Sequence, residues 1–177
     1  MGINYTLRRS KRARAMRMEV HADGSVVVTA PWRSALRVIE RFVVTHSAWA
    51  RRKIEETRDR TVIRVARRDI AALKLRATQL LEERVAYFAS LYGVSVRKIT
   101  IRAQRARWGS CSEKGDLSFN YRLAALPERT ADYVVVHELC HLLEFNHSKD
   151  FWALVEQAVP EHREIRRALR TTVFCFE

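Results

Sequence analysis

The segment His137-Glu138-Leu139-Cys140-His141 constrains this chain more than any other stretch, because it fits the H-E-x-x-H pattern. On a helix, positions i and i+4 lie on the same face, so the imidazoles of His137 and His141 can reach one metal ion. Glu138 lies about 100° further round the helix, where its carboxylate suits a metal-bound water rather than the metal. The pattern therefore predicts a helix that carries two metal ligands and a general base.

The residues around this pattern favour a buried helix, since most of them are apolar: Val134, Val135, Val136, Leu139, Leu142 and Leu143. Two histidines and a glutamate inside such a helix are costly to bury without partners. A metal site is therefore favoured over a chance match of the pattern in a purely structural helix.

Two residues compete for the place of a third ligand, since a catalytic zinc ion usually has three protein ligands and one open position. Glu144 lies on the same helix face as His137, but a rise of ~1.5 Å per residue places its backbone ~10 Å along the axis. His147 follows Asn146, which can take the left-handed conformation that ends a helix. A turn there brings His147 in from the side, before Ser148 caps the next helix. We expect His147 to be the ligand.

Further motifs accompany this pattern: Arg107-Trp108-Gly109-Ser110-Cys111-Ser112, Asn120, Pro127, Asp132 to His141, and Asn146-His147-Ser148 with Phe151-Trp152. Together they resemble the YgjP-like metallopeptidase family, which is similar to the SprT-like and WLM zinc peptidases. The resemblance covers about residues 97–160 and implies a small zinc peptidase domain, with His137, His141 and His147 as ligands and Glu138 as base. Family members usually carry more strand-rich sequence than residues 59–68 supply here.

The organisation predicted from these patterns is an α+β fold, a small zincin-like metallopeptidase domain with helices packed on a small antiparallel sheet. Residues 1–68 form a basic N-terminal region with a β-hairpin and helices, and residues 69–177 form the peptidase domain. In the first part the expected elements are a hairpin at 16–30, a third strand at 3–9, and helices at 34–44 and 47–58. Three single histidines, at positions 21, 46 and 162, are interpreted as caps or surface residues.

In the second part, an apolar stripe from Asp69 to Tyr92 predicts a long core helix that ends at Gly93 and packs against the His137 helix. Residues 97–123 are predicted to form the sheet. A strand beside a zinc cleft can bind an extended peptide as an additional strand. We assign the substrate cleft to Trp108, Gly109, Ser110, Cys111 and Asn120, although Trp108 as a core residue and Gly109 as a bulge fit the sequence equally well. Arg107, Asn120 and Asn146 remain candidates for the oxyanion stabiliser.

The net charge of +13 is concentrated in the first part of the chain. Residues 1–68 hold 17 Lys and Arg against 6 Asp and Glu, whereas residues 69–177 hold 16 against 14. Arginine favours phosphate and carboxylate partners, so nucleic acid or a nucleotide is one interpretation and a generally basic surface is the other. Trp32 and Trp49 lie among these arginines and can stack on bases, but we interpret them as buried anchors.

The predicted function is that of a zinc metallopeptidase, with one Zn²⁺ per chain and a peptide or protein substrate. One alternative is a metal-dependent phosphohydrolase acting on nucleotides. The other is a nucleic-acid-binding module with a structural zinc, for which Cys140 is the nearest additional donor. The chain has neither an apolar run of about 18 residues nor an apolar signal-peptide core, so a cytoplasmic location without membrane contact is expected. Its three cysteines are expected to be reduced thiols.

Overall fold

The computed structural model describes residues 2–104 and 106–177 and shows a mixed α+β chain, which confirms the predicted fold class. The chain divides into two compact units. The first runs to Arg64 and includes Thr171–Cys175, and the second comprises Val65–Arg170 with Phe176–Glu177. The sequence placed a boundary after residue 68, and it gave no sign that a C-terminal strand joins the first unit. In the described part of the chain, no helix is long and apolar enough to cross a membrane.

The first unit contains a three-stranded sheet in the order β1-β3-β2. Its elements are β1 (Thr6–Ser10), β2 (Arg17–Val20), β3 (Val26–Pro31), α1 (Leu36–Thr45) and α2 (Ser47–Glu55). β2 and β3 form the predicted antiparallel hairpin, whose turn contains Gly24 at a φ of 81°. β1 pairs with β3 in parallel. A second, two-stranded sheet pairs β4 (Thr61–Val65) with β8 (Thr172–Phe176).

The second unit is built around two packed helices, α3 (Ile70–Tyr92) and α4 (Glu128–Cys140). Its remaining elements are β5 (Lys98–Arg102), β6 (Gly109–Cys111), β7 (Asp116–Asn120), α5 (Lys149–Ala158) and α6 (His162–Thr171). α3 ends as predicted at Gly93, which has a φ of 64°. The predicted apolar stripe of α3 belongs to the core of this unit, together with the apolar residues of α4.

The sheet of the second unit has the order β5-β7-β6. β6 and β7 form the predicted antiparallel hairpin, but β5 pairs with β7 in parallel, so the expectation of a wholly antiparallel sheet is wrong for this pair. The reason lies in the connections. A tight turn joins β6 to β7 and reverses the chain, whereas β5 is separated from β7 by the whole of β6 and cannot form a hairpin with it.

A buried ion pair joins the two central helices. The guanidinium of Arg84 on α3 donates from Nε and Nη2 to the two carboxylate oxygens of Asp132 on α4, at 2.5 and 3.0 Å. The side chain of Asp132 is only 6% exposed. Removal of one partner of such a buried pair leaves an uncompensated charge, so this bidentate contact strongly favours one register of α4 against α3.

Several single-residue expectations differ from the structure. The side chain of Trp32 is 56% exposed, whereas Trp49 is partly buried. His162 is buried rather than at the surface, because its ring stacks on Trp152 with the centroids 5.2 Å apart. α4 ends at Cys140, before the Asn146 position where the sequence suggested a left-handed residue. No described residue other than glycine has a positive φ.

Candidate metal centre

Three histidines from the end of α4 and the following turn converge in the second unit. His137 lies on α4, His141 directly follows its last residue, and His147 precedes α5. One ring nitrogen from each residue lies within 4.8 Å of the others, and the Nε2 atoms of His137 and His147 are 3.1 Å apart. Nitrogens bound at about 2.1 Å around a tetrahedral zinc ion lie about 3.4 Å from each other. The donor set of this histidine group therefore fits one metal ion.

The turn after α4 positions His141, and among the described residues Glu144 does not belong to the group that can hold a metal. After Cys140 the chain turns tightly, with the N–H of Glu144 donating to the carbonyl of Cys140 at 2.8 Å. This turn brings the main-chain oxygen of Glu144 to 3.3 Å from Nδ1 of His141. A carbonyl that accepts a hydrogen bond from Nδ1 leaves Nε2 free for a metal. Glu144 thus supports a ring of the histidine group through its backbone.

Phe151 provides a common packing surface for the histidine group. Its fully buried ring lies 5.0 Å from the ring centroid of His137 and 4.7 Å from those of His141 and His147. Ser148 caps α5 as predicted, because its Oγ accepts a hydrogen bond from the N–H of Phe151 at 3.2 Å. The cap therefore fixes the first turn of α5, which carries Phe151, the residue on which the three imidazoles pack.

The surroundings of His137 and His147 favour the neutral form of these two imidazoles. Burial lowers the pKa of His137 to about 3, and the charges of His141, His147 and Arg166 act in the same direction. Burial also lowers the pKa of His147. Neutral imidazole is the form that binds a metal ion, because the nitrogen lone pair must be free. Within the described residues, Nδ1 of His137 is buried and has no hydrogen-bond partner.

Glu138 is buried against the edge of the sheet. Glu138 is only 6% exposed. This burial raises the pKa of its carboxyl to about 7, while the charge of Arg107 acts to lower that pKa. Gly109, the first residue of β6, makes this close approach possible. A Cβ at position 109 would lie 2.6 Å from Oε1 of Glu138 and 2.7 Å from its Cγ. Only glycine fits between β6 and this carboxylate without displacing one of them.

A pocket of about 440 Å³ opens beside His137 and Glu138, and we call it the cleft. Its walls are formed by Ala106, Arg107, Trp108, Gly109, Tyr133, Val134, His137, Glu138, Arg166, Leu169 and Arg170. Of the residues that the sequence assigned to the cleft, Trp108 and Gly109 line it. Ser110 and Cys111 continue along β6 and do not belong to this lining.

Asn120 has a different place from the one that the sequence suggested. It is buried beneath the loop that precedes β6, and its Nδ2 donates to the carbonyls of Gln104 and Arg107 at 2.7 and 3.0 Å. Its own N–H donates to the carbonyl of Trp108 at 2.8 Å. Asn120 therefore holds the loop whose end, Gly109, meets Glu138.

The sequence patterns did not assign several lining residues to the cleft, and the polar ones among them are Tyr133, Arg166 and Arg170. Tyr133 lies one helical turn before His137, so its spacing was a usable signal. Arg166 and Arg170 are also one turn apart, on α6. Nothing local indicates which face of α6 is directed towards the cleft, because that depends on how α6 packs.

Comparisons with known proteins found one matching family model and a similar solved structure. A family model described as YgjP-like, metallopeptidase domain, matches residues 64–172. The crystal structure of the metallopeptidase zymogen of Pyrococcus abyssi abylysin is similar, with 26% identity and a TM-score of 0.48, over 51% of this chain and 92% of that chain. No curated protein matches this chain. The span matched by the family model contains the whole histidine group and Glu138.

The raised pKa of Glu138 predicts a pH-dependent stability of the metal-free protein. Below its ordinary pKa of 4.5 the carboxyl is protonated in both the folded and the unfolded protein. Above about pH 7 the folded protein must bury the ionised carboxylate, which costs free energy. Stability is therefore lost as the pH rises through this window. Relative to the wild type, Glu138→Gln should be more stable by up to roughly 3 kcal/mol at pH 8 and similar at pH 4.

Urea unfolding of chelator-treated protein at the two pH values measures this difference. The exposed turn residue Glu113 supplies a control, since Glu113→Gln removes the same charge without relieving burial. A Glu138→Gln protein that is no more stable than the wild type at pH 8 would contradict the prediction.

Proposed function

Because this chain belongs to the YgjP-like metallopeptidase family, and is therefore a peptidase that acts on peptides or proteins, we propose that its catalytic centre is a zinc ion bound by the histidine group. Glu138 is the general base in this proposal. The observation that carries it is the convergence of three imidazoles beside a buried carboxylate at an open cleft. Three imidazoles and one open position are typical of catalytic zinc sites.

The donor set favours a catalytic site over a structural one. A structural zinc is closed by a fourth protein ligand, and Cys140 was the candidate suggested by sequence. Among the described residues, the group that can hold a metal contains only His137, His141 and His147. Cys140 is buried in the core of the second unit, where burial raises the pKa of its thiol to about 11. That thiol is poorly suited to metal binding, because a metal requires the thiolate.

Each residue has a distinct role in the proposed reaction. His137, His141 and His147 would hold the zinc ion, which would supply a Lewis acid for the scissile carbonyl and lower the pKa of a water to about 7. Glu138 takes the proton of the attacking water and donates it to the leaving amine. Before a metal binds, burial gives its carboxyl a pKa of about 7, and the charge of Arg107 favours the ionised form that accepts the proton. Gly109 lets the sheet edge approach this carboxylate closely.

The edge of the sheet offers a site for the main chain of the substrate. β6 is an outer strand that, among the described strands, pairs only with β7. An extended peptide can add to such an edge through main-chain hydrogen bonds. Trp108 and Gly109 line the cleft at the start of β6, so a peptide that pairs along Ser110 and Cys111 would continue past Glu138. In this proposal, the predicted cleft residues of β6 contribute to substrate binding.

Glu138→Gln tests the general base. The amide cannot accept the proton, but it has nearly the same size and leaves the three imidazoles in place. We expect zinc content to remain at one per chain and hydrolysis of a casein-derived peptide to fall by about 10²–10⁴-fold. His147→Ala serves as the comparison, because it should lower zinc content as well as turnover. Wild-type turnover in the Gln variant would exclude Glu138 as the base.

Gly109→Ala tests the close contact between β6 and the base. Its Cβ would lie 2.6 Å from Oε1 of Glu138, so the carboxylate must move. Since a displacement of about 1 Å can cost about 10²-fold in rate, we expect a loss of that order in kcat with zinc content unchanged. The same clash should lower the stability of Gly109→Ala. The double variant Gly109→Ala/Glu138→Asp has a shorter acid and should recover part of that stability. Full activity in Gly109→Ala would contradict the contact.

The exposed Trp32 favours a second role, in which the first unit binds single-stranded nucleic acid. The backbone of Trp32 is held by its N–H to the carbonyl of Ser10 at 3.1 Å and by Nη1 of Arg9, which donates to its carbonyl at 2.7 Å. Its indole is nevertheless 56% exposed, and it borders a surface pocket that Lys11 and Arg33 also line. An exposed aromatic ring beside cations suits base stacking and phosphate contact.

Binding of a fluorescent oligothymidylate tests this role. Wild-type affinity should fall steeply with salt, because phosphate contacts release counterions. Trp32→Ala should weaken binding by about 1–3 kcal/mol, the range measured for base–aromatic stacking. Val44→Ala removes another exposed apolar side chain of the first unit, at the far end of α1, and is the control. Equal binding by all three proteins would contradict the proposed surface.

A further inference from the structure

One wall of the cleft is cationic. Arg107 lies in the loop before β6, and Arg166 and Arg170 lie on α6, yet all three line the same pocket as His137 and Glu138. Glu138 is the sole acidic residue in this lining, so the cleft is rich in positive charge even before a metal is bound. A divalent cation adds to this charge. The cleft therefore favours a substrate that brings negative charge with it.

These arginines are not used in ion pairs within the described part of the chain. No described carboxylate lies within salt-bridge distance of Arg107, Arg166 or Arg170. Other arginines of the same unit differ in this respect, because Arg84 pairs with Asp132 and Arg129 pairs with Glu161. The guanidinium groups at the cleft therefore keep their hydrogen-bond donors for a ligand.

Packing orients the guanidinium of Arg166. It lies over the ring of Trp152, 5.0 Å from the ring centroid, and Trp152 itself stacks on the buried His162. A guanidinium that lies over an aromatic ring gains cation–π attraction and still presents donors at its edge. Arg170 follows one turn later on α6, so both side chains extend from the same face of this helix.

We propose that Arg107, Arg166 and Arg170 form a carboxylate-binding subsite, so that this peptidase prefers substrates with Asp or Glu next to the scissile bond. The inference rests on the catalytic site proposed above. A planar guanidinium matches a carboxylate with two parallel N–H···O bonds. The subsite lies beside the carboxylate that acts as base, so a substrate side chain held there fixes the neighbouring peptide bond at the reacting centre.

α6 provides a matched control for a test of this subsite. Arg163 and Arg167 are also one turn apart on this helix, but they are exposed and do not line the cleft. The variant Arg166→Gln/Arg170→Gln and the variant Arg163→Gln/Arg167→Gln therefore remove the same charge from the same helix. A difference between them reports position and not net charge.

The test uses zinc-loaded full-length protein and matched peptides. Cleavage sites in dephosphorylated casein are mapped by mass spectrometry, and peptides spanning one cleaved bond are made with Glu or Gln on either side of it. We expect the wild type to prefer the Glu peptide by about tenfold in kcat/KM, as charge-assisted hydrogen bonds imply. The ratio should fall towards one in Arg166→Gln/Arg170→Gln, with zinc content unchanged, and stay near tenfold in the control.

A binding measurement separates failure of the subsite from failure of the proposed catalytic site. The Glu138→Gln protein is titrated with the same fluorescently labelled peptides at low and high salt. Tighter, salt-sensitive binding of the Glu peptide that is lost with Arg166→Gln/Arg170→Gln supports the subsite even if the wild type cleaves neither peptide. If the double variant does not fold, Arg166→Lys replaces it. A lowered preference for the Glu peptide over the Gln peptide in that variant supports the subsite, because lysine keeps the charge but lacks the planar guanidinium.

Three results would overturn the proposal. The first is equal cleavage and equal binding of the Glu and Gln peptides by proteins with the three arginines intact. The second is an undiminished preference for Glu in Arg166→Gln/Arg170→Gln. The third is faster hydrolysis of a nucleoside triphosphate than of any peptide by the zinc-loaded wild type, which would assign the arginines to phosphate.

Discussion

The close approach of β6 to α4 is the constraint on which the proposed catalytic centre depends. At Gly109 the backbone comes so near to Glu138 that a single methyl group has no space. This approach removes water from the carboxylate, and burial then raises its pKa to about 7. A side chain of ordinary acidity thereby becomes a group that exchanges protons near neutral pH. The packing of a strand against a helix, and not a special residue type, sets the acid–base property of the site.

The rest of the second unit holds this contact in place. The ion pair of Arg84 with Asp132 fixes α4 against α3, and Asn120 holds the loop from which β6 begins. Phe151 on α5 packs against all three imidazoles. Glu138 and Phe151 are both buried in this unit, so a change that loosens the core also changes the chemistry of the cleft.

Local patterns predicted much of this arrangement. The spacing of His137 and His141 follows from the helical period, and the end of α3 at Gly93 follows from the freedom of glycine to take a positive φ. Features that depend on distant contacts were not predictable in the same way. The parallel pairing of β5 with β7, the early end of α4 at Cys140 and the exposure of Trp32 are of this kind. A periodic pattern shows that a face is apolar, but not which element covers it.

The open edge of β6 also bears on how copies of this protein behave towards each other. An unpaired strand edge that accepts a peptide can equally accept the edge of another molecule and nucleate a growing sheet. β6 contains only the three residues Gly109–Cys111, so it offers few main-chain groups for such a ladder. A strand this short therefore limits self-association through its edge at high concentration.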